Sequence, residues 1–102
     1  MVLSDEIHHD LIYPGQRHIP LASLADDPGD IVTAVAPSKT FNIPGLGLSA
    51  LVASNPEQRE KLRRAFDLLH GNGANPFSTT AFAAAYQHGA VWLDALMVYL
   101  AE

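Results

Sequence analysis

Residues 31–56 read Ile-Val-Thr-Ala-Val-Ala-Pro-Ser-Lys-Thr-Phe-Asn-Ile-Pro-Gly-Leu-Gly-Leu-Ser-Ala-Leu-Val-Ala-Ser-Asn-Pro, and between Asp30 and Glu57 the only formal charge is the ammonium of Lys39. Two apolar runs, 31–36 and 46–53, have the length and composition of buried strands. The Pro- and Gly-punctuated segment between them reads as a loop that holds the lysine. A lysine fixed where charge is scarce has its ammonium form disfavoured by desolvation, which lowers its pKa and frees the amine as a nucleophile or base. The plainer reading is a loop lysine that extends its ammonium to water.

Working outward, the whole chain has 102 residues, enough for one domain with a moderate core. Hydrophobic residues make up 48% and charged residues 17%, which fits a packed globule rather than a disordered tail. The net charge is -5, and the six basic residues are scattered or mixed with acids, so the footprint of a nucleic-acid binder is missing. There are no cysteines, which removes disulfides, zinc-thiolate sites and thiol catalysis together. No secretory leader is visible at the N-terminus, and the apolar region 77–100 is broken by Gln87, His88, Gly89 and Asp94. A cytoplasmic protein without a membrane span is the expectation.

The N-terminal residues 1–4 read as the tail of a strand, and Asp5-Glu6-Ile7-His8-His9-Asp10 begins the turn that leaves it. A strand opening onto acid and imidazole groups at its carboxyl end is where open α/β sheets place ligands. Residues 11–13 predict a brief turn or helical stub, 18–24 a short strand or irregular segment, and 26–30 a turn. The clearest helix starts at Asn55 as N-cap with Pro56 at its first position, and carries Leu62, Ala65, Phe66 and Leu69 at helical spacing. Glu57 with Lys61 and Glu60 with Arg64 are acid-before-base pairs at i,i+4 on its solvated faces. His70-Gly71-Asn72-Gly73 is suited to end it. An alanine-rich helix follows over 78–87, capped by Ser78 or Thr79, and Gly89 separates it from a last helix over 91–101. Trp92, Leu96, Tyr99 and Leu100 form a stripe there that suits a core or interface. The predicted order is strand, loop, strand, lysine loop, strand and three helices.

Two motifs carry a family likeness. Ser4-Asp5-Glu6-Ile7-His8, followed by Ser38-Lys39-Thr40-Phe41-Asn42-Ile43-Pro44-Gly45-Leu46, resembles the fold-type-I pyridoxal phosphate enzymes of the class I/II aminotransferase superfamily. Within that superfamily the chain is most similar to carbon-sulfur β-lyases of the cystathionine β-lyase type. The likeness extends through Tyr13-Pro14-Gly15, Arg17-His18-Ile19-Pro20 and Trp92-Leu93-Asp94, and so covers essentially the whole chain. It implies an α/β fold in which residues 1–102 are part of the large cofactor-binding domain, strands plus C-terminal helices, without the rest of the sheet or the small domain. The cofactor implied is pyridoxal 5'-phosphate.

Carried over by residue, the resemblance implies that Lys39 holds the cofactor as an imine and moves the α-proton of the substrate. Asp5 pairs with the pyridinium nitrogen and keeps the ring an electron acceptor. His8 stands where a tyrosine often hydrogen-bonds the phenolic oxygen, and Ser38 is a candidate contact near the phosphate. Two positions depart from the pattern. Many class I relatives have serine or glycine three residues before the lysine and an arginine eight after it; here these are Ala36 and Gly47. Losing the arginine removes a charge-assisted phosphate contact.

The reaction implied is β-elimination from a sulfur amino acid, with transamination as the alternative and a catalytically inactive remnant as a third reading. The upstream part of the family's large domain and its small domain have no counterpart here, so these 102 residues are expected to be inactive alone. The full-length family implies a homodimer acting on an amino-acid substrate, with no role for nucleic acid or membrane. A metal cluster of Asp5, Glu6, His8, His9 and Asp10 is a further reading of the same acids and imidazoles. His18, His70 and His88 read as loop or helix-end residues with no assigned function.

Overall fold

The computed structural model describes residues 1–69 and 75–102. Three short strands form its sheet: β1 (Val2–Asp5), β2 (Ile31–Val35) and β3 (Ala50–Ala53). The order is β1-β2-β3, with β1 parallel to β2 and β3 antiparallel to it. The long connection from β1 lets the chain return to β2 in the same direction, as a parallel pair requires. The much shorter stretch from β2 to β3 holds one α-helical turn and one 3-10 turn and reverses the chain, so the sheet is mixed rather than all-parallel.

The α-helical turn is α1 (Pro37–Thr40), and it replaces the loop expected around Lys39. Pro37 takes the first helical position, where its missing N–H costs nothing. The end of α1 is fixed by two backbone bonds, Phe41 N–H to Pro37 O at 2.9 Å and Ile43 N–H to Ser38 O at 3.1 Å. The second spans five residues, and Asn42 between the donors sits at φ 52°, which makes a left-handed helix stop. A 3-10 turn, Pro44–Leu46, follows, so the third strand begins at Ala50 instead of Leu46.

The upstream connection differs from expectation as well. Residues 7–10 form the turn that leaves β1, while 11–13 are not helical. The 18–24 segment contains a 3-10 turn, Leu21–Leu24, rather than a strand, and Pro28–Asp30 forms another just before β2.

Helix α2 (Pro56–Leu68) begins where the sequence indicates: Asn55 Oδ1 accepts from the backbone N–H of Glu57 at 2.8 Å and of Gln58 at 3.4 Å. Both predicted ion pairs form, Lys61 with Glu57 at 2.8 Å and Arg64 with Glu60 at 2.9 Å. Arg59 donates to the carbonyls of Ala53 and Ser54 at 2.6 and 2.7 Å, tying the helix to the end of β3. The helix end expected at 70–73 lies outside the described residues. Helix α3 (Pro76–His88) starts two residues earlier than expected, because Asn75 is the cap and accepts from Ser78 N–H at 2.9 Å. Helix α4 (Ala90–Leu100) follows directly at Gly89.

The core is small: among the described residues Val32, Ala36, Ala53 and Met97 are buried, together with Pro37. The molecule measures 44 × 37 × 18 Å, with a radius of gyration of 15.3 Å against about 13 Å for a compact domain of this length. A slab this thin has room for little more than a sheet and one layer of helix. Much of the apolar stripe of the last helix is therefore uncovered, with Tyr99 72% and Trp92 45% exposed. Among the described residues no helix is long and apolar enough to cross a membrane.

Candidate functional site

Parallel pairing sets Asp5 opposite Ala34, so β1 and β2 deliver their following residues to the same edge of the sheet. At that edge β1 ends on Asp5, while β2 runs out at Val35 and hands over to α1, which carries Ser38 and Lys39. Carboxylate and amine thus emerge at the carboxyl ends of two adjacent strands, where open sheets bind ligands.

The four residues singled out by sequence differ in exposure. Asp5 is exposed, and its Oδ1 accepts from the Ile7 N–H at 3.3 Å. His8 is exposed in the turn that follows, and Ser38 is half-buried. Lys39 is exposed, which corrects the expectation of an apolar surround. The reason is the helical turn itself: Pro37 and Thr40, three apart, share its inward face and are buried, so Lys39 is rotated outward. The desolvation argument made for this lysine from the sequence therefore has no support in its surroundings.

Beneath these residues lies a polar network that the sequence reading did not assign. Glu6 is buried and accepts three bonds, from Ser4 Oγ at 2.9 Å, Leu21 N–H at 3.0 Å and His18 Nε2 at 2.8 Å. The bond from His18, more than the others, holds the Glu6 carboxyl below its ordinary pKa, against the opposing effect of burial. His9 Nδ1 donates to the Glu6 carbonyl at 2.6 Å, and its Nε2 lies 3.1 Å from Asp10 Oδ1. Asp10 Oδ2 in turn accepts from Thr40 Oγ1 at 3.0 Å. The turn carrying His8 therefore lies against the helix carrying Lys39. Of the acids and imidazoles of the alternative metal reading, His9 and Asp10 pair with each other while the Glu6 carboxylate is taken up by Ser4, Leu21 and His18, and among the described residues no set of three or more is arranged to hold an ion. One sequence signal pointed to Glu6: it shares a strand face with Ser4 by the two-residue alternation.

On the opposite side of α1, Phe41 packs edge-on to Tyr86 with ring centroids 5.6 Å apart and lies 6.2 Å from Trp92. Gly89 faces the same ring so closely that a Cβ there would overlap it. At the two positions that depart from the family pattern, Ala36 is buried beneath α1 and Gly47 borders open space that would admit a side chain.

No family model matches the chain. It is 48% identical over 100 residues to the cystathionine beta-lyase PatB of Bacillus subtilis (strain 168), covering 97% of this chain and 26% of PatB. It is 39% identical over 102 residues to the protein MalY of Escherichia coli (strain K12), covering 99% of this chain and 26% of MalY. Among solved structures, cystalysin from Treponema denticola, which contains a pyridoxal 5'-phosphate cofactor, aligns with TM-score 0.89 and 37% identity over 95% of this chain and 25% of that one. The chain spans about a quarter of the length of these relatives.

The residues present fit that cofactor by their chemistry. An accessible primary amine, a carboxylate, an imidazole and a hydroxyl come to one sheet edge, and these answer an aldehyde, a ring nitrogen, a phenolic oxygen and a phosphate.

Proposed function

We propose that this chain, whose homologues are cystathionine β-lyases and whose fold is part of the fold-type-I pyridoxal phosphate architecture, supplies the lysine-bearing edge of a carbon-sulfur β-lyase site. The observation that carries the reading is the arrival of Asp5 and Lys39 at the same end of the parallel pair β1 and β2. Residues 1–102 then act as part of a large cofactor-binding domain.

Pyridoxal 5'-phosphate, when bound, supplies an aldehyde and an electron-accepting ring. Lys39 would hold the aldehyde carbon through Nζ and, once the substrate's amine has displaced it, the freed nitrogen would be the base that takes the proton from the α-carbon of the substrate. Asp5 would keep a proton on the ring nitrogen through the negative charge of its carboxylate. His8 would donate a hydrogen bond to the phenolic oxygen, and the Ser38 hydroxyl would donate toward the phosphate. The net reaction is hydrolytic: a cysteine-type thioether and one water give a thiol, pyruvate and ammonia, with the Cβ–S bond broken and its electron pair leaving on sulfur. The same reading includes a homodimeric, cytoplasmic assembly with no nucleic-acid partner, in line with the net charge of -5.

The test is direct because the chain has two lysines, Lys39 and Lys61. Purified chain mixed with pyridoxal 5'-phosphate is expected to develop a yellow absorbance band. Borohydride should fix a stable adduct that peptide mapping finds on Lys39. An adduct on Lys61 instead, or no lysine adduct at all, would overturn the assignment.

A further inference from the structure

We propose that Thr40, through the hydrogen bond from its hydroxyl to Asp10, is a positioning residue that sets where Lys39 stands relative to Asp5. This inference rests on the role proposed above for Lys39.

A helix of four residues does not hold itself in place: nucleation is unfavourable and isolated short helices are marginal in water. Helix α1 also has no side-chain cap at its start. Its orientation, and with it the direction in which Lys39 leaves the sheet, must come from tertiary contacts. Two are visible, the Phe41 ring against Tyr86 and Trp92, and the Thr40 hydroxyl on Asp10. The aromatic contact favours an edge-on arrangement but admits a wide range of ring separations, about 4.5–7 Å. The hydrogen bond has a fixed length and angle and lies one residue from Lys39.

Thr40 is fully buried, so its hydroxyl needs a partner, and the acceptor it has is a carboxylate 30 residues away in sequence. From Asp10 the contacts continue toward Asp5. Asp10 meets His9 Nε2, His9 Nδ1 donates to the Glu6 carbonyl, and the Glu6 N–H donates to Ala34 O at 3.0 Å across the β1–β2 pair. The Glu6 carboxylate is itself anchored by Ser4, Leu21 and His18. The neighbour of Lys39 is thus joined by a continuous run of polar contacts to the neighbour of Asp5. One carboxylate therefore joins the β1 turn to the lysine helix.

Thr40→Val keeps the shape and the branched Cβ and removes only the hydroxyl, while Thr40→Ser keeps the hydroxyl. Asp10 is partly exposed, so water can solvate the acceptor freed by Thr40→Val, and the variant is expected to fold. Two readouts are taken on the 102-residue chain with pyridoxal 5'-phosphate: the rate of borohydride-fixed adduct formation at Lys39, and the pH midpoint of the yellow band. Thr40→Val is expected to slow labelling of Lys39 about tenfold and to move the midpoint, Thr40→Ser to stay within about twofold of the parent, and Lys61 to be unaffected. Unchanged rate and midpoint in Thr40→Val would overturn the positioning role and leave the assignment of Lys39 standing.

Failure of the parent chain to label Lys39 would instead sink the functional reading, and a cofactor-free measurement then decides the tether. Amide hydrogen exchange at Phe41 and Ile43, whose N–H groups close α1, should accelerate in Thr40→Val and be restored in Thr40→Ser. Equal protection in all three chains refutes the tether outright.

Discussion

Replacing Glu6 by Gln isolates the charge of the buried carboxylate at nearly constant volume. In the parent, one oxygen accepts from Ser4 and Leu21 and the other from His18. An amide supplies only one oxygen, so its NH2 must face a donor, either His18 Nε2 or the Ser4 and Leu21 pair. Hydrogen bonds to a charged group contribute about 1.5–3 kcal/mol, and an unpaired buried donor costs about 1–3 kcal/mol. The His18 side chain is 30% exposed, so water recovers part of that loss and the lower half of the range applies. We expect Glu6→Gln to lose about 2 kcal/mol near neutral pH. With a urea m-value of about 1–2 kcal/mol/M for a chain of this size, the midpoint followed by circular dichroism falls by about 1–2 M. The pH dependence has a definite sign. The carboxyl pKa is lowered in the fold from its ordinary 4.5. Its stabilisation is therefore fully present above 4.5 and is lost as pH falls through the lower, folded value. The gap between parent and Glu6→Gln should be constant above 4.5 and close as the solution is acidified below it. Equal midpoints near neutral pH, or a gap that persists unchanged into strong acid, would refute the reasoning.

Substitutions at two further positions test how the lysine helix is held. Asn42 occupies the left-handed region at φ 52°, so Asn42→Gly should be neutral or slightly stabilising, whereas Asn42→Val should cost about 1–2 kcal/mol in the same urea titration. Equal midpoints for the two variants would mean that the stop after α1 is not formed as described. Gly89→Ala drives a methyl group into the Phe41 ring and is expected to lose about 1–3 kcal/mol and to weaken the near-ultraviolet circular dichroism of the Phe41, Tyr86 and Trp92 group. Parental stability together with an unchanged aromatic spectrum would contradict the contact.

The features legible in the sequence are those written in local pattern. Helix α2 announced itself through Asn55-Pro56 and the spacing of Leu62 and its neighbours, and the structure places its start there. The arrival of Asp5 and Lys39 at strand ends was legible for the same reason. The surroundings of Lys39 were not. A scarcity of charged neighbours along the chain says nothing about which neighbours in space cover a side chain, and one turn of helix sufficed to aim this one outward. Pro37 sits in a segment whose composition suggests a loop, although proline opens helices as readily as it breaks strands. The direction of β3 depended on how little chain lies between it and β2. The contacts of Glu6 with His18 and of Asp10 with Thr40 join residues far apart in sequence, beyond the reach of any periodicity.

The pairing of Asp5 with Ala34 has an implication for how such a site can change over time or by engineering. The alignment of two neighbouring strands brings acid and amine to one end of the sheet, and the Thr40–Asp10 bond aims the amine; the number of residues strung between them does neither. The exposed Pro14-Gly15 turn, which relies on a glycine at φ 83° and lies outside the Glu6 and Asp10 contacts, is thus free to gain length at little entropic cost, and a graft there would leave the two reactive groups where they are.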